Sequence, residues 1–403
     1  MAVVRVAPGR RPSPAAALAL LLVLIGLCLP ALAAPRIGVV TMQPGEIFFE
    51  RFGHNAIVVD DPAAGPALSY NFGYFDLEEP DFHLRFARGE MQYLLVVMPL
   101  EQDLAYYRSV GRGASIQWLD MDPAAATALA GRLAWNARPE NARYAYDYFT
   151  DNCSTRVRDA LDTALGGALS RQLNGRSQGN TYRSEAVRLA RPDPLMALGF
   201  DLGLGPASDR PNSLWQDAFV PMRLADALRS VRLADGRPLV LAEEALLPHR
   251  LHPEPVPRAV SWWPWLLAGM VLAMLVWTQR AHPRAVAAAA LPAWGLCAAL
   301  ATVMLYIWLG TAHRFGWANH NLLLFNPLCL LLLPGAWRIA RGGDGGPLFR
   351  TVLAVVAAGA LLSPFLLWMP QQSQRNGHWI ALVLPVQLAL AAALWRPRPA
   401  SGA

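Results

Sequence analysis

The chain has 403 residues, of which 54% are hydrophobic and only 16% charged, and its formal net charge is +6. Soluble globular proteins carry about 25% charged residues, so this sparse charge, beside 14 Trp and 33 Pro, marks a membrane protein of more than one domain. The basic residues are all arginine; the lack of lysine excludes a Walker-type ATPase and a pyridoxal-phosphate enzyme, and no arginine stripe suggests nucleic acid.

Arg5, Arg10 and Arg11 precede an apolar run from Ala15 to Leu29 and the small-residue stretch Ala31-Leu32-Ala33. That order describes a signal peptide over residues 1–33, cleaved after Ala33 or kept as an anchor. Cys28 lies inside it behind Leu27, where lipoprotein processing requires a small residue, so the chain is not read as a lipoprotein itself.

Residues 35–247 form one exported domain long enough for its own core. Short β-branched or aromatic runs predict strands at Ile37–Thr41, Asn55–Val59, Leu68–Phe72, Tyr93–Met98 and Ser115–Leu119. Asp122-Pro123 then predicts a capped helix carrying Leu129 and Leu133. A second runs over Ser154–Leu165 with Val157, Leu161 and Leu165 as its stripe and Gly166-Gly167 at its end. Further helices are expected near Tyr182–Leu189 and Pro221–Val231, giving an α+β domain.

Residues 248–261 are Pro-rich and read as a linker; His249 and His252 within it are not read as metal ligands, and no metal or cofactor is expected. A transmembrane domain over 262–396 follows. Its five apolar windows are Trp262–Thr278, Ala285–Leu309, Asn321–Trp337, Thr351–Met369 and Trp379–Trp395, which predict an all-α bundle of five helices. With the exported domain outside, the inner segments hold seven arginines (Arg280, Arg284, Arg338, Arg341, Arg350, Arg396, Arg398) and the outer turns two, Arg314 and Arg375. The positive-inside rule therefore agrees with an exported domain.

Two stretches carry chemistry. Arg51–Val59 puts His54 at the mouth of a strand, and Asp151–Arg156 puts Cys153 at the start of a helix. Cys297 and Cys329 fall in membrane windows, so Cys153 stands alone in the exported domain, where thiols ordinarily pair. A helix N-terminus favours the thiolate, and a histidine is the group to take and return its proton. The bland readings are a small buried cysteine and a structural histidine.

The blocks Phe52–Ile57 (F-G-H-N-A-I), Tyr70–Phe75, Arg85–Gly89, Tyr148–Arg156 (Y-F-T-D-N-C-S-T-R) and Thr181–Arg183 resemble the periplasmic domain of the Lnb-type lipoprotein N-acyltransferase family. His313 and Asn319–Leu323 extend the resemblance into the membrane part. It implies a circularly permuted papain-like fold in which His54 precedes Cys153, in a multi-pass inner-membrane protein whose catalytic domain faces the periplasm. The implied reaction loads an acyl chain from a phospholipid onto the cysteine as a thioester and discharges it onto the N-terminal amine of a diacylated lipoprotein. The residues alone support acyl transfer or amide hydrolysis. A papain-like amidase or peptidase acting on cell-wall peptides and a non-catalytic membrane scaffold are the alternatives.

Among supporting residues, Asn71, ahead of Tyr70, is expected to orient the imidazole. Asp151 is expected to cap the cysteine helix, and Asn152 to contribute to an oxyanion site with the Cys153 N–H. The outer loop with His313, Arg314, Asn319, His320 and Asn321 is a candidate for binding a phosphate or the incoming amine, or else an ordinary solvated turn.

Overall fold

A computed structural model describes residue 13 and residues 34–370 and 373–395. The signal segment apart from Ser13, with Cys28, and the end of the transmembrane domain, with Arg396 and Arg398, lie outside the described residues.

Alternation along the strands builds a two-faced sheet. β1 (Arg36–Met42), β2 (His54–Asp60), β3 (Leu68–Tyr74), β4 (Gln92–Pro99), β5 (Ala114–Leu119), β6 (Arg143–Ala145) and β7 (Val240–Leu247) pair antiparallel in the order β6-β4-β3-β2-β1-β5-β7. Side chains two apart share a face. Ile37, Val39, Ile57, Val59, Tyr70 and Phe72 pack with Leu129, Leu133, Val157 and Leu161 of the helices Pro123–Asn136 and Cys153–Ala164. Val40, Met42, Ala56 and Val58 face the other way, onto Leu104 and Tyr107 of the helix Leu100–Ser109.

The five expected strands all lie within β1–β5, and the four expected helices correspond to Pro123–Asn136, Cys153–Ala164, Tyr182–Ala190 and Pro221–Ser230. The cysteine helix ends as its glycines predict: Gly166 and Gly167 take φ of 60° and 81°, and the Gly167 N–H returns to the Asp162 carbonyl at 2.7 Å. Residues 248–261 are tied down rather than free. Glu254 pairs with buried Arg188 at 2.6 Å, and Arg191 donates to the Val256 carbonyl. The His249 ring accepts from the Gly113 N–H and donates to the His252 carbonyl.

The C-terminal part is helical and apolar: Trp263–Thr278, Pro283–Gly310, Cys329–Ala340, Gly346–Leu362 (extended by the 3-10 turn Ser363–Trp368) and Gly377–Leu394. Among the described residues, Pro283–Gly310, Gly346–Trp368 and Gly377–Leu394 are long and apolar enough to cross a membrane. Trp263–Thr278 and Cys329–Ala340 have 16 and 12 residues and are shorter than a full span. The third window differs most from its expectation, its helix beginning at Cys329 instead of Asn321. Asn326-Pro327 is the reason. The Asn326 side chain accepts from the Leu328 N–H at 3.0 Å, and proline disfavours helix in the residue before it.

Candidate active site

The approach to β2 is a tight turn. Gly53 has φ 79°, and a Cβ there would stand 2.9 Å from the Met42 carbonyl oxygen, so a side chain would disrupt the entry to His54. His54 opens β2, where the start of the cysteine helix reaches it. Strand and helix are locked together by the next pair of residues: the Ser154 hydroxyl donates to Asn55 Oδ1 at 2.8 Å, and Asn55 Nδ2 donates to Thr41 Oγ1 at 2.9 Å. Asn55 and Ser154 are both fully buried.

His54, Ser69 and Asn71 project to the face covered by Leu100–Ser109, and that helix adds Asp103. The His54 Nε2 contacts Asn71 Oδ1 at 2.9 Å. The Asn71 amide nitrogen donates to Ser69 Oγ at 3.0 Å and to Asp103 Oδ2 at 2.9 Å, and Ser69 Oγ donates to Asp103 Oδ2 at 2.6 Å. With its nitrogen spent on a carboxylate, Asn71 has only its oxygen to offer the ring, so His54 carries its proton on Nε2 and keeps Nδ1 for the thiol. This bears on the expectation for Asn71: its geometry is that of an orienting group. Tyr70 lies on the opposite face in the core. Asp103 was not anticipated. It shares with Leu104 and Tyr107 the buried side of a helix whose sequence is polar enough to read as surface.

Electrostatics bias this row of groups toward an ion pair. Burial by itself raises the Cys153 thiol, but the charge and hydrogen bond of His54 and the N–H groups of Asn55 and Ser154 outweigh it, and the net shift is downward. Burial likewise lowers His54, yet the Cys153 thiolate, Asp103 and Asn71 together raise it above its ordinary value. A lowered thiol beside a raised imidazole favours thiolate and imidazolium at neutral pH. Cys153 is partly exposed and faces a cavity of about 590 Å³. Its walls are aromatic, with Phe52, Phe75, Tyr146 and Phe200 from the exported domain and Ile307 and Phe315 from the outer end of the helix Pro283–Gly310 and the loop beyond it. Such an arrangement can form a covalent bond to an acyl carbon while keeping water scarce.

Residues 31–186 match the family described as the Lnb N-terminal periplasmic domain. Over these residues the chain is similar to the Lnb family. No curated protein and no solved structure matches the chain significantly.

At the start of the cysteine helix two expectations change. The cap of the cysteine helix is Asn152, not Asp151: Asn152 Oδ1 accepts from the Thr155 N–H at 2.9 Å, and Thr155 Oγ1 accepts from the Asn152 N–H at 2.7 Å. Asp151 instead pairs with Arg156 at 2.8 Å. Asn152 Nδ2 is also committed, donating to the Tyr148 and Phe219 carbonyls at 2.9 Å each, so it has no hydrogen left for an oxyanion.

The outer loop packs onto the N-terminal domain as structure. The His313 Nδ1 accepts from the Tyr148 hydroxyl and its Nε2 donates to the Phe86 carbonyl at 3.1 Å, while burial lowers its pKa. It lines the cavity as a neutral ring with both nitrogens occupied. Asn319 and Asn321 are 2% and 0% exposed, and both donate to the Leu202 carbonyl, at 2.7 and 3.1 Å. Asn319 Oδ1 accepts from Gln374 Nε2 and Asn321 Oδ1 from Asn376 Nδ2, each at 2.9 Å. Substrate binding has no free polar atom to use on either asparagine. Arg314 binds Thr150 and stands 3.3 Å from Asp147, fastening the same loop.

Proposed function

We propose that this protein is a membrane-bound cysteine acyltransferase that moves an acyl chain from a phospholipid, through a thioester on Cys153, to the N-terminal amine of a lipoprotein. The observation that carries the reading is the Cys153–His54 pair facing an aromatic cavity whose wall is completed by the outer end of a membrane helix. A soluble peptide has no use for such a wall; an acyl chain drawn from the outer leaflet does. The aromatic lining also favours an acyl substrate over the polar stem of a cell-wall peptide.

In this reading the Cys153 thiolate attacks the ester carbonyl carbon, forming a C–S bond. Collapse of the tetrahedral adduct breaks the ester C–O bond, and imidazolium His54 gives its proton to the departing alkoxide. The incoming amine then attacks the thioester, His54 takes its proton, and the thiolate leaves. Asn71 and Asp103 keep the ring turned so that Nδ1 faces sulfur throughout. The fold we assign is a circularly permuted papain-like domain, with the histidine strand ahead of the cysteine helix. It belongs to a multi-pass inner-membrane protein with five membrane helices and its catalytic domain in the periplasm.

The test is intact-mass analysis of the purified full chain in nanodiscs of 1-palmitoyl-2-oleoyl phosphatidylethanolamine. A Cys153-linked acyl adduct that transfers to a synthetic diacylated lipopeptide supports the reading. Acyl transfer by Cys153→Ala at the wild-type rate overturns it.

A further inference from the structure

Among the described residues, two hydrogen-bond donors near Cys153 find no acceptor. The Tyr144 hydroxyl is buried, on a side chain 8% exposed, and its oxygen makes no hydrogen bond. The Cys153 N–H, first in its helix, belongs to the four amides that a helix leaves without internal acceptors. Both donors flank the same point. Gly73 has φ 98° and forms part of the cavity wall. A Cβ built on it would lie 3.8 Å from the Tyr144 oxygen, 4.0 Å from the Cys153 nitrogen and 3.6 Å from the Cys153 Cβ. The missing side chain of Gly73 thus leaves a niche beside the nucleophile with a phenol and a helix-start amide at its edge.

We propose that this niche is the oxyanion site of the acyl-transfer reaction, with the Tyr144 hydroxyl and the Cys153 N–H as its donors. The proposal rests on Cys153 being the nucleophile. When the thiolate adds to an acyl carbonyl, the C–S bond forms and the carbonyl π pair moves onto oxygen; the two donors stabilise that charge. They release it when the carbonyl re-forms and the ester oxygen, or later the thiolate, departs. Neither donor is consumed. Donors already in position and sheltered from water act where the charge develops at little reorganisation cost.

The surroundings keep the phenol a donor. Burial, first, and then the Cys153 charge raise the Tyr144 pKa, so the hydroxyl retains its proton. The Arg156 guanidinium lies 4.0 Å from the centroid of the Tyr144 ring and holds it from behind, while Asp151 fixes Arg156. This gives Asp151 and Arg156 a purpose that capping did not. It also moves the oxyanion role from the Asn152 side chain to a tyrosine on the short strand β6. Gly73 is required at the niche twice, for its backbone angle and for its empty side.

Tyr144→Phe removes one oxygen and little else, so it separates chemistry from folding. In single-turnover assays with the full chain in nanodiscs of 1-palmitoyl-2-oleoyl phosphatidylethanolamine, Tyr144→Phe should slow formation of the Cys153 acyl adduct about 100-fold or more. Alkylation of Cys153 by iodoacetamide develops no oxyanion and should proceed at the wild-type rate. Gly73→Ala should also slow acylation. Wild-type acylation in Tyr144→Phe overturns the proposal, and so does a parallel loss of alkylation, which would mean a structural role. Loss of the adduct in Cys153→Ala with full activity in Tyr144→Phe leaves the nucleophile standing and removes only the oxyanion site. A wild-type protein that forms no Cys153 adduct overturns both.

Discussion

Two regions of this molecule are rich in histidine and asparagine, and they are used differently. In the outer loop that follows Pro283–Gly310, Asn319 and Asn321 are buried and both ends of each amide are bonded. Around β2, Asn71 is equally well bonded, but its bonds end on His54, and the Cys153 sulfur faces a cavity. The difference lies in which atoms are left over. A buried amide with a missing partner costs about 1–3 kcal/mol, so most buried asparagines are fully spent on construction. Reactivity survives only where a group is held firmly and still keeps one atom free. The Cys153 thiolate meets that condition, as does the Tyr144 hydroxyl.

The sharpest way to break this contrast is at its nucleophile. Cys153→Ala should reduce acyl-adduct formation and transfer to the uncatalysed level while leaving the melting temperature near wild type, since the side chain loses one partly exposed sulfur. His54→Ala comes next. Loss of a general acid–base costs roughly 10²–10⁴-fold in rate. It should also move the pH dependence of Cys153 alkylation. In the wild type the thiol is lowered, so alkylation falls off on the acid side only below the pH where an ordinary thiol titrates. Without the imidazolium, only the Asn55 and Ser154 N–H groups oppose burial, and the midpoint should move upward. A midpoint that stays in place would mean the helix N-terminus alone sets the thiolate.

Asp103→Asn probes the far end of the same row. The Asp103 charge contributes to the raised His54 pKa, and its Oδ2 accepts one hydrogen bond from Asn71 and one from Ser69, which in turn accepts from Asn71. The imidazolium form exists below the His54 pKa and is lost as pH rises through it. Removing the carboxylate charge should therefore bring the alkaline limb of the rate profile to lower pH, with about a tenfold loss at the optimum from a less firmly held ring. An unchanged alkaline limb would detach Asp103 from the site.

Much of this was legible in the sequence, and the gaps have physical causes. The strands β1 to β5 show in their β-branched runs, whereas β6 is three residues long and β7 carries Glu243 and Glu244 on an edge, so neither has a period to detect. Cys153 and His54 were visible because a lone exported thiol and a strand-mouth histidine are chemically unusual. Asp103 and Tyr144 were not, because only packing brings them in: one lies on a helix of polar composition and the other on a strand of three residues. The cap fell on Asn152 instead of Asp151 because either residue type serves, and one residue of register decides it. Asn319 and Asn321 looked functional by type alone. Their partners, the Leu202 carbonyl, Gln374 and Asn376, are distant in the chain.

The smallest effect is expected in the loop, and it is the one that isolates the contrast. Asn321→Ala leaves the Asn376 amide without its acceptor and removes one donor from the Leu202 carbonyl, which still receives Asn319. One orphaned buried group corresponds to about 1–3 kcal/mol, or a fall of a few degrees in melting temperature for a domain of this size. Because His313 and Phe315 sit in the same loop and line the cavity, some loosening of the wall is expected, with acyl transfer down less than about threefold. Cys153 alkylation should not change, since the groups that set the thiol are His54 and the N–H groups of Asn55 and Ser154, none of them in the loop. If Asn321→Ala instead lowers acyl transfer as far as His54→Ala while the protein melts normally, the loop takes part in the chemistry, and full hydrogen bonding no longer separates construction from function.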